Sequence, residues 1–435
     1  MLATSIITEL ILNPITKIAL ECPTAANVFA YIQNHQLYST DRAEAKTYAD
    51  LFRFLNSGFA VLVLEGASSA LVFGIQGYDK RSVSEPSGED NVMGAKDGFI
   101  EVVRVNMSLL RRRMKTPQLK LELFVKGTKS QTDLCLCYMA DRVPKQLIRE
   151  IKARLDEMEL ESILSSGYLQ PFLENRRSCL FDTVGTTQRP DVLCAKMLEG
   201  RVGLLIEGTP FALVIPKLFC ESFQTMDDYC YRPAYATLVR WIKYAAFLVA
   251  ILLPALYVAI ALHHPELLNR TLLLILAEAE ENAPISLTAE AIGVLLVYEI
   301  IREAGLRLPK AVGGAVSIVA GLIIGDAAVS SGLISTPMLT VTAIAVIAGF
   351  VVPDLAQSIT LLRLAFLLTA GVLGLFGISL LGAVVLFNLC AGESFGFPIT
   401  APFAPLYRKG FRDTLTRVSF RKMQSGNFTV EEYYE

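Results

Sequence analysis

Apolar residues fall in two regimes along this chain, with the change near Trp241. Before it they come in short runs broken by turn residues. Residues 43–56 carry helical spacing and stop at Ser57-Gly58, after which Phe59–Leu64 and Ala70–Ile75 are apolar runs separated by Glu65-Gly66. That order predicts a helix followed by a β-hairpin. It recurs later: Arg189-Pro190-Asp191 opens a helix through Met197, Glu199-Gly200 ends it, and Val202–Ile206 and Phe211–Ile215 flank Glu207-Gly208. The echo predicts two α/β subdomains of similar build, residues 1–82 and 98–230. Between them, residues 83–97 are polar and rich in Ser, Gly and acidic residues, which reads as an exposed linker. A helix over Gly98–Lys115, stopped by Pro117, and two strands, Leu119–Val125 and Thr132–Tyr138, complete the second subdomain.

After Trp241 the runs lengthen. Tyr244–Leu262 carries no charge, and about 19 residues at 1.5 Å each cross a hydrocarbon core of roughly 30 Å. Ile285–Ile301, Ala311–Leu333 and Met338–Val352 are three further candidate spans. Leu361–Cys390 is too long for one untilted pass and contains Gly371, Gly374, Gly377 and Gly382, so it is expected to break or fold into a hairpin. Arg232, Arg240 and Lys243 precede the first span, and a basic tail over 393–435 follows the last. The positive-inside rule then places the N-terminal half and the C-terminus on the cytosolic side. The expected class is an α/β soluble N-terminal half of two similar subdomains followed by an all-α multi-pass transmembrane domain over 240–392. The opening residues, with Glu9, Pro14 and Lys17 and no basic start, do not read as a cleaved signal peptide.

The bulk numbers sharpen this picture. The 53% hydrophobic content and mean hydropathy of +0.45 exceed those of ordinary soluble domains, while a net charge of −2 provides no basic field for nucleic acid. The cysteines include no C-x-x-C pair and are expected to be buried free thiols; Cys135 and Cys137 would share one strand face. No Gly-rich phosphate loop, nucleophile elbow or zinc spacing occurs, so no catalytic, cofactor or metal site is assigned.

Three groups of residues invite a role. Gly313, Ser317, Gly321 and Gly325 recur every fourth position, a small-residue face that lets helices pack closely in lipid. Glu290, Glu299 and Asp326 are ionisable inside apolar spans, and either pair with Arg302, Arg307 or Arg363, or line a cation path. Arg111, Arg112 and Arg113 end a helix and could meet anionic lipid, phosphate or an acidic partner face, or simply be solvated.

A set of motifs then occurs in one order: Gly98-Phe99 with Asn106 and Leu110-Arg111-Arg112-Arg113; Gln188-Arg189-Pro190-Asp191; Leu198–Val202; Asp228-Tyr229 with Arg232-Pro233; Leu253-Pro254-Ala255-Leu256-Tyr257; His264-Pro265-Glu266; Glu299–Pro309; Ser394-Phe395-Gly396 and Pro402–Pro405. In this the chain resembles the A-subunit family of bacterial spore germinant receptors, the GerA type, including its sporulation-specific paralogue group. The resemblance implies a spore germination role in the inner spore membrane, partner B- and C-type subunits or a related membrane partner, homo-oligomers, and a signal-gated monovalent cation channel. Departures at Asp90–Lys96, at Glu278–Glu281 with Asn282-Ala283-Pro284, and at Pro353-Asp354-Leu355 leave the nutrient receptor and the downstream paralogue both open. Two readings outside a channel are a solute permease subunit and a non-conducting membrane scaffold. A permease would carry internal transmembrane repeats, which are not evident here.

Overall fold

The computed structural model describes residues 8, 13–16, 24–34, 42–74, 81–86, 88–89, 91–174, 179–281, 285–308, 321, 327–423 and 430. Sheets occupy the N-terminal half and helices the C-terminal half.

The first sheet is small. Strands β1 (Arg42–Ala45), β2 (Ala60–Leu62) and β3 (Ala70–Phe73) pair antiparallel in the order β1-β3-β2, under helices α1 (Ala25–Asn34) and α2 (Tyr48–Asn56). The expected helix over 43–56 starts only at Tyr48. Ala45 packs with Phe59 and Val72 as part of a strand, and the Thr47 hydroxyl caps α2 by accepting from the Asp50 amide at 3.1 Å.

The second unit is larger. Helix α3 (Val103–Arg113) precedes β4 (Leu119–Lys126) and β5 (Thr132–Met139); α4 (Lys145–Asp156) and β6 (Gly185–Thr187) follow, then α5 (Pro190–Leu198), β7 (Val202–Ile206) and β8 (Ala212–Ile215). The strands form one antiparallel sheet ordered β4-β5-β7-β8-β6. Period-two alternation gives it two apolar faces. Leu134, Leu136, Leu204 and Ile206 meet Leu147, Ile151 and Leu155 of α4. Cys135, Cys137 and Leu205 meet Leu110 of α3 and Leu193 and Met197 of α5. Each such leucine contributes about 1.5–3 kcal/mol when fully buried. Cys135 and Cys137 are free thiols 3.7 Å apart on one face of β5. The Glu-Gly turns use the glycine at positive φ, Gly66 at 83° and Gly208 at 87°.

The polar stretch before α3 is largely exposed but not free. Arg189, itself buried, donates to the carbonyls of Glu89 (3.3 Å) and Ala95 (2.8 Å) while its Nε and a terminal nitrogen engage Asp191. Glu89 in turn accepts from the Thr187 hydroxyl and the Gln188 amide. The stretch around Glu89 and Ala95 is therefore strapped to the large sheet, because a buried guanidinium must satisfy its fixed donors and finds backbone carbonyls there.

The C-terminal half is built on α6 (Pro233–His263), with Pro233 in its first turn and Pro254 in its interior. The other helices of this half are α7 (Arg270–Glu281), α8 (Leu287–Arg307), α9 (Thr336–Phe350) and α10 (Ala356–Ala391). Among the described residues two helical segments, Pro233–His263 and Pro353–Ala391, are long and apolar enough to cross a membrane; most of the expected span 311–333 lies outside the described residues.

The last helix folds back on itself. Gly374 sits at φ 61° and ψ −144°, outside helical values, inside α10. Near its start the Ser358 hydroxyl donates to the Leu180 carbonyl (2.7 Å), and near its end Asn388 Oδ1 accepts from the Leu180 amide (3.0 Å). A straight helix would separate positions 358 and 388 by about 45 Å. The two arms instead return to one residue of the α/β half, with His263 of α6 against the bend. A short hairpin, β9 (Glu393–Ser394) with β10 (Phe397–Pro398), then rejoins the large sheet unit, where the Ser394 hydroxyl donates to the Thr183 carbonyl.

Candidate functional site: the junction and the buried charges of the helices

Where α6 leaves the α/β half, four charged side chains meet under cover. Asp228 is 2% exposed and Arg240 0% exposed. Asp228 accepts from Arg240 Nε at 2.9 Å, from Lys243 Nζ at 3.4 Å and from the Thr225 hydroxyl at 3.1 Å. Asp413, from the C-terminal tail, accepts from Arg240 at 3.0 Å and from the Tyr229 hydroxyl at 2.9 Å. Two carboxylates thus face two cations. Breaking such a pair leaves a buried charge and costs about 3–5 kcal/mol, so the tail, α6 and the α/β half are coupled at this point. Burial pushes the Asp413 carboxyl up, against the lowering pull of Arg240 and Tyr229.

Next to this cluster lies another. Arg201 reaches Glu221 at 2.5 Å and also bonds Glu199, and Lys196 reaches Glu221 at 2.9 Å. Burial alone would raise the Glu221 carboxyl; the Arg201 and Lys196 cations outweigh it and hold it below its ordinary value. A cavity of about 40 Å³, lined by Arg201, Glu221, Gln224, Lys409 and Asp413 among others, lies between the two clusters.

The turn residue Glu207 does more than turn. Its carboxylate accepts from the Val103 amide at 2.7 Å, at the first residue of α3, where Val102 offers no capping side chain. Burial raises this carboxyl. Of the three arginines at the other end of α3, Arg112 and Arg113 both pair with Asp97, and Arg111 is exposed.

Among the apolar helices, Arg363 is 4% exposed. Its Nε donates to the Ala250 carbonyl at 2.7 Å and a terminal nitrogen to the Ala345 carbonyl at 3.3 Å, which ties α10 to α6 and α9. Ala250 is the carbonyl that Pro254, lacking an N–H, cannot satisfy four residues on. Gly349 leaves the room: a Cβ there would lie 3.1 Å from the guanidinium.

The two candidate acids among the described residues, Glu290 and Glu299, do not meet. Glu290, 1% exposed, accepts from the amide (2.6 Å) and hydroxyl (2.8 Å) of Ser335 at the start of α9, and its second oxygen has no partner among the described residues. Glu299 lies nine positions on, about 13 Å down α8, where it pairs with Arg302 at 2.6 Å and accepts from Thr360 at 3.0 Å. Arg307 pairs with Glu303. Asp326, Gly313, Ser317 and Gly325 lie outside the described residues; Gly321 is helical and exposed, with no described neighbour within 4 Å of a Cβ position. Among the described residues no group of His, Cys, Asp and Glu is placed to hold a metal ion.

Read from the sequence, Arg240 and Lys243 count only as cytosolic-side charge, unconnected to Asp228 or Asp413. Asp228 precedes the two buried cations by 12 and 15 residues, and that proximity of opposite charges is the available signal. Asp413, 173 residues from Arg240, offers none.

The family model described as Bacillus/Clostridium GerA spore germination protein matches residues 1–427. The chain belongs to this family. Spore germination protein KA of Bacillus subtilis is 38% identical over 376 residues, covering 86% of this chain and 69% of that one. A Bacillus subtilis membrane protein of uncharacterised role, YfkQ, is 37% identical over 368 residues, 84% of this chain and 72% of that one. The crystal structure of the N-terminal domain of the A subunit of the Bacillus megaterium spore germinant receptor GerK3 is 38% identical, covering 28% of this chain and 97% of that chain, with a TM-score of 0.24. Within this GerA-family chain, several motif residues have structural duties: Asn106 holds Ile100 through both its amide atoms, Arg189 straps the stretch around Ala95, and Pro254 frees the carbonyl that Arg363 takes.

Proposed function

We propose that this chain is the A-type membrane subunit of a spore germinant receptor. It would be embedded by several passes in the inner spore membrane, with its α/β half and C-terminal tail cytosolic. It would assemble with B- and C-type subunits or a related membrane partner, and oligomerise into a signal-gated monovalent cation channel. It would act without catalysis. The observation that carries the reading is the family match over residues 1–427 together with the two long apolar helices. The buried ionic junction supports a coupling role: a push on the α/β half or tail reaches α6 through Asp228, Asp413 and Arg240 rather than being absorbed by a loose linker.

For the ion path, Glu290 is the better supported of the described acids, since one of its oxygens has no partner among the described residues, while Glu299 is neutralised by Arg302. The remaining acid proposed for the path is Asp326, and the close-packing face proposed between spans or copies is Gly313, Ser317, Gly321 and Gly325. Arg111, Arg112 and Arg113, of which the first two are exposed, are proposed as a contact for a partner subunit or lipid. The test is potassium release from spores, or from vesicles carrying the reconstituted assembly, on stimulation. Glu290→Gln and Asp326→Asn are expected to change the flux with assembly intact, and Glu299→Gln to change it less. Unchanged flux in all three would remove these acids from the ion path and point to a non-conducting scaffold or to a pore lined elsewhere.

A further inference from the structure

The foot of α6 carries a groove that the junction does not use. It has a volume of about 410 Å³ and is lined by Pro233, Ala234, Thr237, Leu238, Trp241 and Arg417. Its aromatic and aliphatic walls face outward: Leu238 is 53% and Trp241 56% exposed. Arg417 is only 4% exposed, and its hydrogen bonds go to the carbonyls of Tyr229 (3.1 Å) and Val418 (3.1 Å). Among the described residues its Nε has no hydrogen-bond partner, and none of the ion pairs formed there includes it. The guanidinium instead lies over Phe420, 4.4 Å from the ring centre, and Phe420 is itself 59% exposed beside exposed Arg421. The Trp241 indole is held at the groove by donating to the Leu415 carbonyl at 3.0 Å.

A nearly buried cation with no acidic partner among the described residues, beside an open apolar groove, calls for a ligand with one negative charge and an apolar body. The groove's position says which. It sits where α6 passes from Arg240, Trp241 and Lys243 into the uncharged stretch from Tyr244 to Leu262, the level of a headgroup layer if α6 enters a bilayer. We infer that this groove holds an anionic phospholipid, with an acyl chain along Leu238 and Trp241 and the phosphate drawn by the charge of Arg417 and Arg421. The inference rests on the membrane placement proposed above. Because Arg417 also donates its backbone amide to the Thr237 hydroxyl and caps Tyr229, the lipid would brace the side of the Asp228–Arg240–Asp413 junction that faces the membrane.

Trp241 is the single tryptophan of the chain, so its fluorescence reports on the groove directly. The full chain is reconstituted in phosphatidylcholine bilayers containing a small matched fraction of either dibrominated phosphatidylglycerol or dibrominated phosphatidylcholine, and quenching is compared. Occupancy by the brominated anionic lipid is expected to exceed that of the zwitterionic one by about fivefold, the worth of roughly one basic side chain at an anionic surface. Arg417→Gln is expected to remove most of the preference and Arg417→Lys to keep it. Equal quenching by the two lipids in the intact chain overturns the proposal whether or not the variants fold, as does an unchanged preference in a folded Arg417→Gln protein. Absence of quenching by both lipids would instead overturn the membrane placement of the α6 foot, and with it the site. Inorganic phosphate added in solution is expected to leave the preference in place; its abolition by phosphate at constant ionic strength would assign the site to the free anion and overturn the lipid.

Discussion

Arg363 Nε lies 2.7 Å from the Ala250 carbonyl, inside the packed helices and with its guanidinium bonded to backbone rather than to an acid. The pairing exists because Pro254 withdraws the amide that would otherwise bond Ala250. A cation and a proline on separate helices thereby complete one another. Replacing Arg363 by Met is expected to destabilise the helical half by about 1–2 kcal/mol, read from denaturant unfolding in detergent. Adding Pro254→Ala should recover part of the loss, since the new backbone amide can then donate to the Ala250 carbonyl. Strict additivity of the two changes would remove this account.

The junction makes a steeper prediction. Asp228→Ala leaves Arg240 with one fewer carboxylate in a buried site and should cost about 3–5 kcal/mol. Asp228→Ala combined with Arg240→Met removes both charges of the pair and should cost less than the single Asp change. Thermal melts of the full chain in detergent compare the two, and a double variant no more stable than Asp228→Ala would contradict the coupling.

Spin labels at Gln357 and Phe387 test the fold of the last helix. Both lie near the feet of the two arms, and the Phe387 side chain is exposed. The distance between them should fall far short of the roughly 45 Å of a continuous helix. Gly374→Ala is expected to broaden or lengthen it, because φ 61° is unfavourable with a Cβ and that atom would lie 2.9 Å from His263.

Glu221 sets a pH dependence. Its folded carboxyl lies below the ordinary 4.5 because Arg201 and Lys196 outweigh the burial that opposes them. The pair's stabilisation is therefore complete above about pH 4.5, the unfolded value, and is lost as pH falls through the lower folded value. Unfolding monitored from about pH 7 down to about pH 3 should show a component that Glu221→Gln removes. A Gln variant with the same slope would assign the acid sensitivity elsewhere.

Arg189→Met should free the stretch around Glu89 and Ala95 from the large sheet. The loss of charge-assisted bonds to those two carbonyls, each worth roughly 1.5–3 kcal/mol, is expected to raise the rate of limited proteolysis there by about tenfold or more. Cleavage at the rate of the unaltered chain would mean that Glu89 alone holds the segment.

By itself the sequence determined the change of regime at Trp241, both helix-and-hairpin units, four of the five strands of the large sheet, the short β6 excepted, and the expectation that the tract after Leu361 turns back. Each of these is written in local order: a period of two or 3.6, a Glu-Gly turn, a run too long for one crossing. It misjudged residues 43–46, because a short strand such as Arg42–Ala45 is chosen by its partner β3 and not by its own spacing. Tertiary structure alone decided which charges distant in sequence meet; the local Glu299–Arg302 pair was among those the sequence offered. Asp413 reaches Arg240 across 173 positions, Arg363 finds a carbonyl vacated by Pro254, and Glu290 and Glu299 end on different neighbours. Local pattern records which face of an element must be buried. The partner of a buried charge is fixed only when distant elements pack, since desolvation penalises every arrangement that leaves the charge alone.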